Sequence, residues 1–253
     1  MTLFETIYNR QSVRKYIMED LSEEKLESIR RYNEEIIPLY PEIKTRMEIV
    51  SYKERKNKMN GIFALKAPYY LLFYSEKKDG DLLNAGYMLE QMVLYLAMKG
   101  LGSCYLANMK SKIDSVGNRL IIMLAFGKPE GKIGRSEKEA KRLTLDKLCV
   151  FKEDVNRSFL TMLEAARLAP SSFNRQPWRF VVYNKRMHMF CKRPLLPIKY
   201  TQDISKIDMG IALAHIAIAA DDLWVDIQIK HLENLASIPI ANNEYIASIT
   251  LEN

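Results

Sequence analysis

The stretch Leu83-Asn-Ala-Gly-Tyr-Met-Leu-Glu-Gln-Met-Val-Leu-Tyr-Leu-Ala-Met-Lys99 constrains this chain more than any other. Apolar side chains cover most of its helical circumference. A helix of that kind is buried, wrapped on several sides by other elements. Gly100-Leu-Gly102 ends it, glycine being the residue that most readily closes a helix in the left-handed conformation. A second stretch, Ile207-Asp-Met-Gly-Ile-Ala-Leu-Ala-His-Ile-Ala-Ile-Ala-Ala220, echoes it, with Gly210 matching Gly86 and Leu213 matching Leu89. Two such helices, far apart in the chain, imply two cores built alike.

The elements around each helix recur in the same order. Ala67-Pro-Tyr-Tyr-Leu-Leu-Phe-Tyr-Ser75 reads as a strand, rich in aromatic residues and too short for a helix. Gln176-Pro-Trp-Arg-Phe-Val-Val-Tyr183 echoes it as a second proline-led aromatic strand. Arg119–Gly127 reads as a buried strand closed by Gly127-Lys-Pro129, and Tyr245–Asn253 echoes that one. The proline-led strands lie 109 positions apart and the helices 124. The repeat predicts two similar halves, 1–150 and 151–253, with the polar residues 130–155 as the seam. Lesser elements are a short helix within residues 2–16, a helix over Leu21–Ile29, a strand over Arg46–Ser51, a short strand or loop over Ser103–Asn108, and helices over Ser111–Val116 and Phe159–Leu168.

Composition excludes several classes of function. With 48% hydrophobic and 27% charged residues the chain reads as globular. Its net charge of +7 is spread among glutamates, as in Glu137-Lys-Glu-Ala-Lys-Arg142, without the one-sided basic stripe and stacking aromatics of a nucleic-acid binder. An acidic small molecule such as a phosphate ester explains a local excess more simply. Cys104, Cys149 and Cys191 are distant and odd in number, which supports neither a disulfide framework nor a zinc site. His188, His215 and His231 lack metal-ligand spacing, and His215 lies in an apolar helix as a core residue. Met1–Tyr16 has no apolar signal segment and no run reaches a membrane span, so a soluble cytoplasmic protein is expected.

Two loops concentrate polar chemistry. Ala169-Pro-Ser-Ser-Phe-Asn-Arg-Gln-Pro-Trp178 gathers Ser171, Ser172, Asn174 and Gln176 between two prolines. It reads either as an ordinary helix-to-strand connection or as a ligand-binding loop held by rigid neighbours. Near the N-terminus, Arg10, Ser12 and Arg14 alternate, so an extended segment projects all three from one side. Two guanidiniums flanking a hydroxyl suit a phosphate. Lys141-Arg142 is a second candidate anion contact.

Taken together, Arg10-Gln-Ser-Val-Arg14, Gly100-Leu-Gly-Ser-Cys104, Leu124-Ala-Phe-Gly-Lys-Pro129 and the decapeptide 169–178 resemble the flavin-dependent nitroreductase family. The decapeptide is the specific match, and the four segments span most of the chain. The resemblance implies an α+β, nitroreductase-like fold, with two similar halves that each carry a mostly antiparallel sheet flanked by helices. In that family two subunits share FMN, one supplying Arg-x-Ser-x-Arg and the other Pro-Ser-x-x-Asn-x-Gln. Here each motif occurs once, in opposite halves, which implies an intramolecular pseudo-dimer with one complete flavin site.

Carried over residue by residue, the resemblance assigns Arg10, Gln11, Ser12 and Arg14 to the FMN phosphate and ribityl chain, with Lys141 and Arg142 also reaching the phosphate. Ser171, Ser172, Asn174 and Gln176 meet the ring and ribityl, and Pro170 shapes their loop. A backbone amide near flavin N5 is expected at Ala107-Asn108, where the family often has glycine. The flavin carries the redox step, so no catalytic side chain is named. The implied activity moves electrons from NADH or NADPH to a nitroaromatic, quinone or similar acceptor. Two alternatives are a flavin-binding or flavin-sensing protein without efficient turnover and a scaffold that keeps only the fold. Loops at Tyr32–Tyr40 and His188–Tyr200 are expected to line the flavin's outer face.

Overall fold

A computed structural model describes residues 1–54, 59–60, 65–106, 110–111, 118–195, 198–236 and 241–252. The chain divides into two compact units, Met1–Ser136 and Glu137–Asn253. Each is an α+β unit in which helices accompany a largely antiparallel sheet.

In the first unit, α1 (Leu3–Asn9) starts with a capping box, Thr2 accepting the Glu5 amide while the Glu5 carboxylate accepts the Thr2 amide. After α2 (Glu23–Glu35) come β1 (Thr45–Ser51), the short β2 (Met59–Asn60) and β3 (Tyr69–Glu76). The core helix α3 (Asp81–Met98) is followed by β4 (Gly102–Leu106), β5 (Lys110–Ser111) and β6 (Asn118–Gly127). The main sheet runs β1-β3-β6-β4, antiparallel throughout, and β2 pairs with β5.

β3 is buried along nearly its whole length, which is why its sequence is a continuous apolar run. Tyr70, Leu72 and Tyr74 on one face join Val13, Tyr16, Val50, Met123 and Ala125 in a single cluster. Each such large side chain taken from water contributes about 1.5–3 kcal/mol. The core helix ends in a Schellman motif, with Leu101 N–H donating to Leu96 O (2.9 Å) and Gly100 N–H to Ala97 O (3.0 Å). Gly100 takes φ +79°, the conformation the motif demands.

The second unit holds α4 (Leu145–Leu148), β7 (Cys149–Phe151), α5 (Arg157–Leu168), β8 (Trp178–Val182) and β9 (Arg186–Lys192). Then follow the long core helix α6 (Lys199–Asp222), β10 (Ile227–Lys230), α7 (Glu233–Ala236) and β11 (Asn243–Leu251). Its sheet runs β10-β11-β9-β8-β7, with only the β7–β8 pair parallel. Asn156 caps α5 by accepting the Phe159 amide at 2.9 Å.

Laid side by side, β1-β3-β6-β4 corresponds to β8-β9-β11-β10, with a core helix after the second strand of each set. The proline-led aromatic strands are therefore not counterparts, because β3 matches β9 and β8 matches β1. The likeness between them reflects sheet position. β8 lies between β9 and β7 and so carries an apolar sequence, whereas β1 lies at the edge of its sheet and reads Thr-Arg-Met-Glu-Ile-Val-Ser. The helix echo and the echo of β6 by β11 do follow the topology.

Other expectations also change. His188 and Phe190 are strand residues of β9, Phe190 packing edge-on against Tyr245 at 5.7 Å, so they do not belong to a loop. Tyr32 lies in α2 and stacks on Tyr95 at 3.9 Å. Residues 130–155, read as a polar seam, contain a 3-10 turn at Glu137–Glu139, α4 and β7. The helix expected over Ser111–Val116 begins on a strand residue, Ser111, and its remainder lies outside the described residues.

Candidate functional site

The segment after α1 is stitched down from both sides. Val13 N–H donates to Ser103 O and Ile17 N–H to Lys128 O, each at 2.9 Å, while Lys15 O accepts from Glu130 N–H at 3.1 Å. The Gln11 amide donates to Lys132 O at 2.7 Å. The approach to β4 is close enough that a Cβ on Gly102 would sit 2.5 Å from Val13 Cγ2, which accounts for the second glycine of Gly100-Leu-Gly102.

Arg10, Val13 and Tyr16 are buried, Ser12 is half-buried and Arg14 is exposed. Burial thus falls on every third residue rather than on alternate ones, and the expected common face for Arg10, Ser12 and Arg14 is not formed. The cause is that the segment makes isolated bridges at Arg10, Ser12 and Tyr16 instead of one continuous ladder. The Arg10 guanidinium points to Glu90, a fully buried carboxylate of α3, with Nε 3.7 Å from Oε1. Tyr105 donates to the other carboxylate oxygen at 2.7 Å. Arg10 Nε itself is buried without a hydrogen-bond partner. Burial pushes the Cys104 thiol up, and Arg14 and Arg10 pull it the other way, so the positive field of the segment reaches β4.

In the second unit the decapeptide forms a tight loop between α5 and β8. Phe173 (φ 53°), Asn174 (φ 55°) and Gln176 (φ 49°) all adopt the left-handed conformation. Such residues cost on the order of 1 kcal/mol each and persist only when neighbours hold them. The holding groups are explicit. Ser171 Oγ accepts the Gln176 amide at 2.9 Å, and Gln176 Oε1 accepts the Leu143 amide at 2.7 Å. Asn174 Nδ2 donates to Lys141 O at 2.8 Å, and Asn174 Oδ1 accepts from Arg142 Nη1 at 2.8 Å. Arg142 Nε also donates to Ala169 O at 3.0 Å, so the guanidinium caps the end of α5.

The structure therefore brings Lys141, Arg142, Pro170, Ser171, Ser172, Asn174 and Gln176 together in one unit, and Arg10, Gln11, Ser12 and Arg14 in the other. Ala107 and Asn108 lie outside the described residues. The buried Gln176 and the exposed Asn174 both hold the loop through their amides, Ser171 and Ser172 are half-exposed, and Arg14 is exposed.

Two residues that the motifs do not contain complete the picture. Glu90 and Asp208 are the lone charged residues in the apolar stretches Leu83–Met98 and Ile207–Ala220, and that isolation was the available signal. Each ties a core helix to one of the two motif segments, Glu90 through Arg10 and Asp208 through the Ser172 amide at 3.0 Å. His215, also buried, pairs through Nδ1 with Ala165 O at 2.7 Å, as a core residue would. Among the described residues no group of side chains could hold a metal ion, and no helix is long and apolar enough to cross a membrane.

A family model described as "Putative TM nitroreductase" matches residues 2–220. A crystal structure from Thermotoga maritima, described as a putative nitroreductase, is 23% identical and covers 99% of this chain and 93% of its own, with a TM-score of 0.66. A nitroreductase family protein of Clostridium difficile 630 is 20% identical, covering 58% of this chain and 96% of its own, with a TM-score of 0.48. An FMN-dependent nitroreductase of Clostridium difficile R20291, also 20% identical, covers 56% of this chain and 95% of its own at a TM-score of 0.43. Among curated proteins none matches. The first of these structures shares the fold along the whole chain.

Proposed function

The chain belongs to the nitroreductase family and is an oxidoreductase of that kind, and from this premise we propose that it binds FMN and passes electrons from NADH or NADPH to a nitroaromatic, quinone or similar small acceptor. The observation that carries the cofactor assignment is Arg10 Nε, a buried donor without a hydrogen-bond partner in the segment that also presents Ser12 and Arg14. A buried cation with an unused donor fits an anionic oxygen, and Arg14 adds a second, exposed guanidinium in the same segment.

On this reading Arg10, Ser12 and Arg14 bind the phosphate and ribityl chain, Arg10 through the donor that its ion pair with Glu90 leaves without a hydrogen bond. Gln11 keeps the segment on Lys132 O, a positioning task. Ser171 and Ser172 offer hydroxyls to the ribityl chain or ring. Asn174, Gln176 and Arg142 act by fixing the loop that carries those hydroxyls, and Pro170 and Lys141 frame it. A backbone amide at Ala107-Asn108 completes the reading. Bound FMN supplies a two-electron acceptor for hydride, and the protein orients it and admits substrates. No side-chain acid or base is required of the chain. Each half supplies one motif, so one chain does the work of two subunits. The expected setting is the cytoplasm, in keeping with three unpaired, buried cysteines.

The test is the purified protein itself. It should be yellow or take up FMN, be bleached by NADH or NADPH, and be reoxidised by a nitro compound over many turnovers. Binding without steady-state reduction would make it a flavin-binding protein, and failure to take up FMN would end the proposal.

A further inference from the structure

We propose that Asp208 is a positioning residue that holds the Ser171–Gln176 loop in its bound shape through a carboxylate, where the first unit uses a neutral amide for the same task. The consequence for cofactor affinity rests on the reading that this loop meets FMN.

Asp208 is 2% exposed, on the core helix α6. Its Oδ1 accepts the Ser172 amide at 3.0 Å, at the entry to the three left-handed residues. Its Oδ2 is buried and has no hydrogen-bond partner. Arg175 of the same loop lies 3.9 Å from that oxygen and donates through Nη2 to Ser205 Oγ at 3.3 Å, one turn back on α6. From β9 the Cys191 thiol faces the same region, pushed up to about 12 by burial, with Glu244 and Asp208 adding and Arg175 and Lys206 opposing. The loop is thus fastened to the helix at Ser172 and Arg175, on either side of the strained Phe173-Asn174.

The first unit performs the equivalent task without a charge. Asn84 lies 124 positions before Asp208, as Gly86 lies before Gly210. It is fully buried on α3, and its Oδ1 accepts the amides of Leu39 (2.8 Å) and Tyr40 (3.1 Å) in the loop after α2. An amide suffices for such a hold. A carboxylate in the same place makes the hold sensitive to protons.

Burial pushes the Asp208 carboxyl from 3.8 up to about 7, while the Ser172 amide, Arg175 and the Ser172 hydroxyl pull the other way. With the loop lifted, water returns the carboxyl toward its ordinary range. The seated loop therefore binds a proton that the lifted loop releases between about pH 4 and 7. The hold is strongest below that window, weakens as pH rises through it and is constant above it.

The experiment uses the full chain in a Trp224→Phe background. Trp224 is 95% exposed, and its replacement leaves Trp178, fully buried next to the loop, as the sole tryptophan. Acrylamide quenching of Trp178 without flavin, and the FMN dissociation constant, are measured at pH 5.5 and 8 for Asp208, Asp208→Asn and Asp208→Ala proteins. Quenching should rise with pH when Asp208 is present, stay low with Asn and stay high with Ala. Relative to Asp208→Asn, which cancels the titration of the FMN phosphate, the Asp208 protein should lose up to about thirtyfold in FMN affinity between the two pH values, the roughly 1.5 pKa units of the window that lie above pH 5.5. Parallel behaviour of the Asp and Asn proteins at both pH values overturns the proposal, as does an Asn protein quenched as strongly as the Ala protein. If Ala fails to fold, the Asp–Asn comparison decides alone. Expected quenching without FMN binding in any protein would refute the flavin reading and leave the role of Asp208 standing.

Discussion

Replacing Arg142 by alanine should loosen the second unit by about 2–3 kcal/mol, a figure that can be worked from its contacts. The guanidinium donates to Asn174 Oδ1 (2.8 Å), Ala169 O (3.0 Å) and, more weakly, Leu168 O (3.4 Å). Hydrogen bonds to charged groups contribute about 1.5–3 kcal/mol each, and half-exposure moves the two good ones to or below the lower end of that range. Loss of the cation at the end of α5 adds a few tenths of a kcal/mol. Lysine should recover less than half, because a single ammonium cannot reach acceptors on two sides of a planar fork. Both tryptophans of the chain lie in the second unit, so urea unfolding followed by tryptophan fluorescence reports that unit. A loss under about 0.5 kcal/mol, the range of featureless surface changes, or full recovery by lysine, would refute this account of the loop.

Two glycines should fail differently when changed to alanine. Gly127→Ala brings a Cβ to 2.3 Å from Pro68 Cγ, a ring atom with little room to move, and should cost about 1–3 kcal/mol by overpacking. Gly100→Ala meets nothing within 4 Å but must hold φ +79°, so it should cost about 1–2 kcal/mol in denaturant unfolding. Thiol chemistry offers a separate check. Cys149 and Cys191 are pushed up to about 12, chiefly by burial, and Cys104 is also raised and buried. At pH 8 a thiol-specific reagent should label none of the three in the folded protein and all three in denaturant; rapid labelling of the native protein would contradict their placement.

The core helices were legible because a stretch that is apolar all round has few places to go. Strand correspondence was less so, because apolar character tracks sheet position: β8 resembles β3 through having neighbours on both sides, while its true counterpart β1 has one. The motif segments stood out as concentrations of polar residues, yet their side-chain roles did not. Alternation in Arg10-Gln-Ser-Val-Arg14 assumed a regular strand, and isolated bridges gave burial at Arg10, Val13 and Tyr16 instead. The amides of Asn174 and Gln176 are spent on the loop itself because three left-handed residues require internal support. Glu90 and Asp208 were visible as single charges in apolar helices, but their partners lie far away in sequence, and only folding brings Arg10 and Ser172 to them.

One chain, carrying each motif once, should hold one flavin. Titration of flavin-free protein with FMN, followed by quenching of FMN fluorescence, tests it most directly. Saturation should come at one FMN per chain, with affinity weakened by Arg14→Ala and separately by Ser171→Ala. Saturation at two per chain, absence of binding, or indifference to either substitution would contradict it.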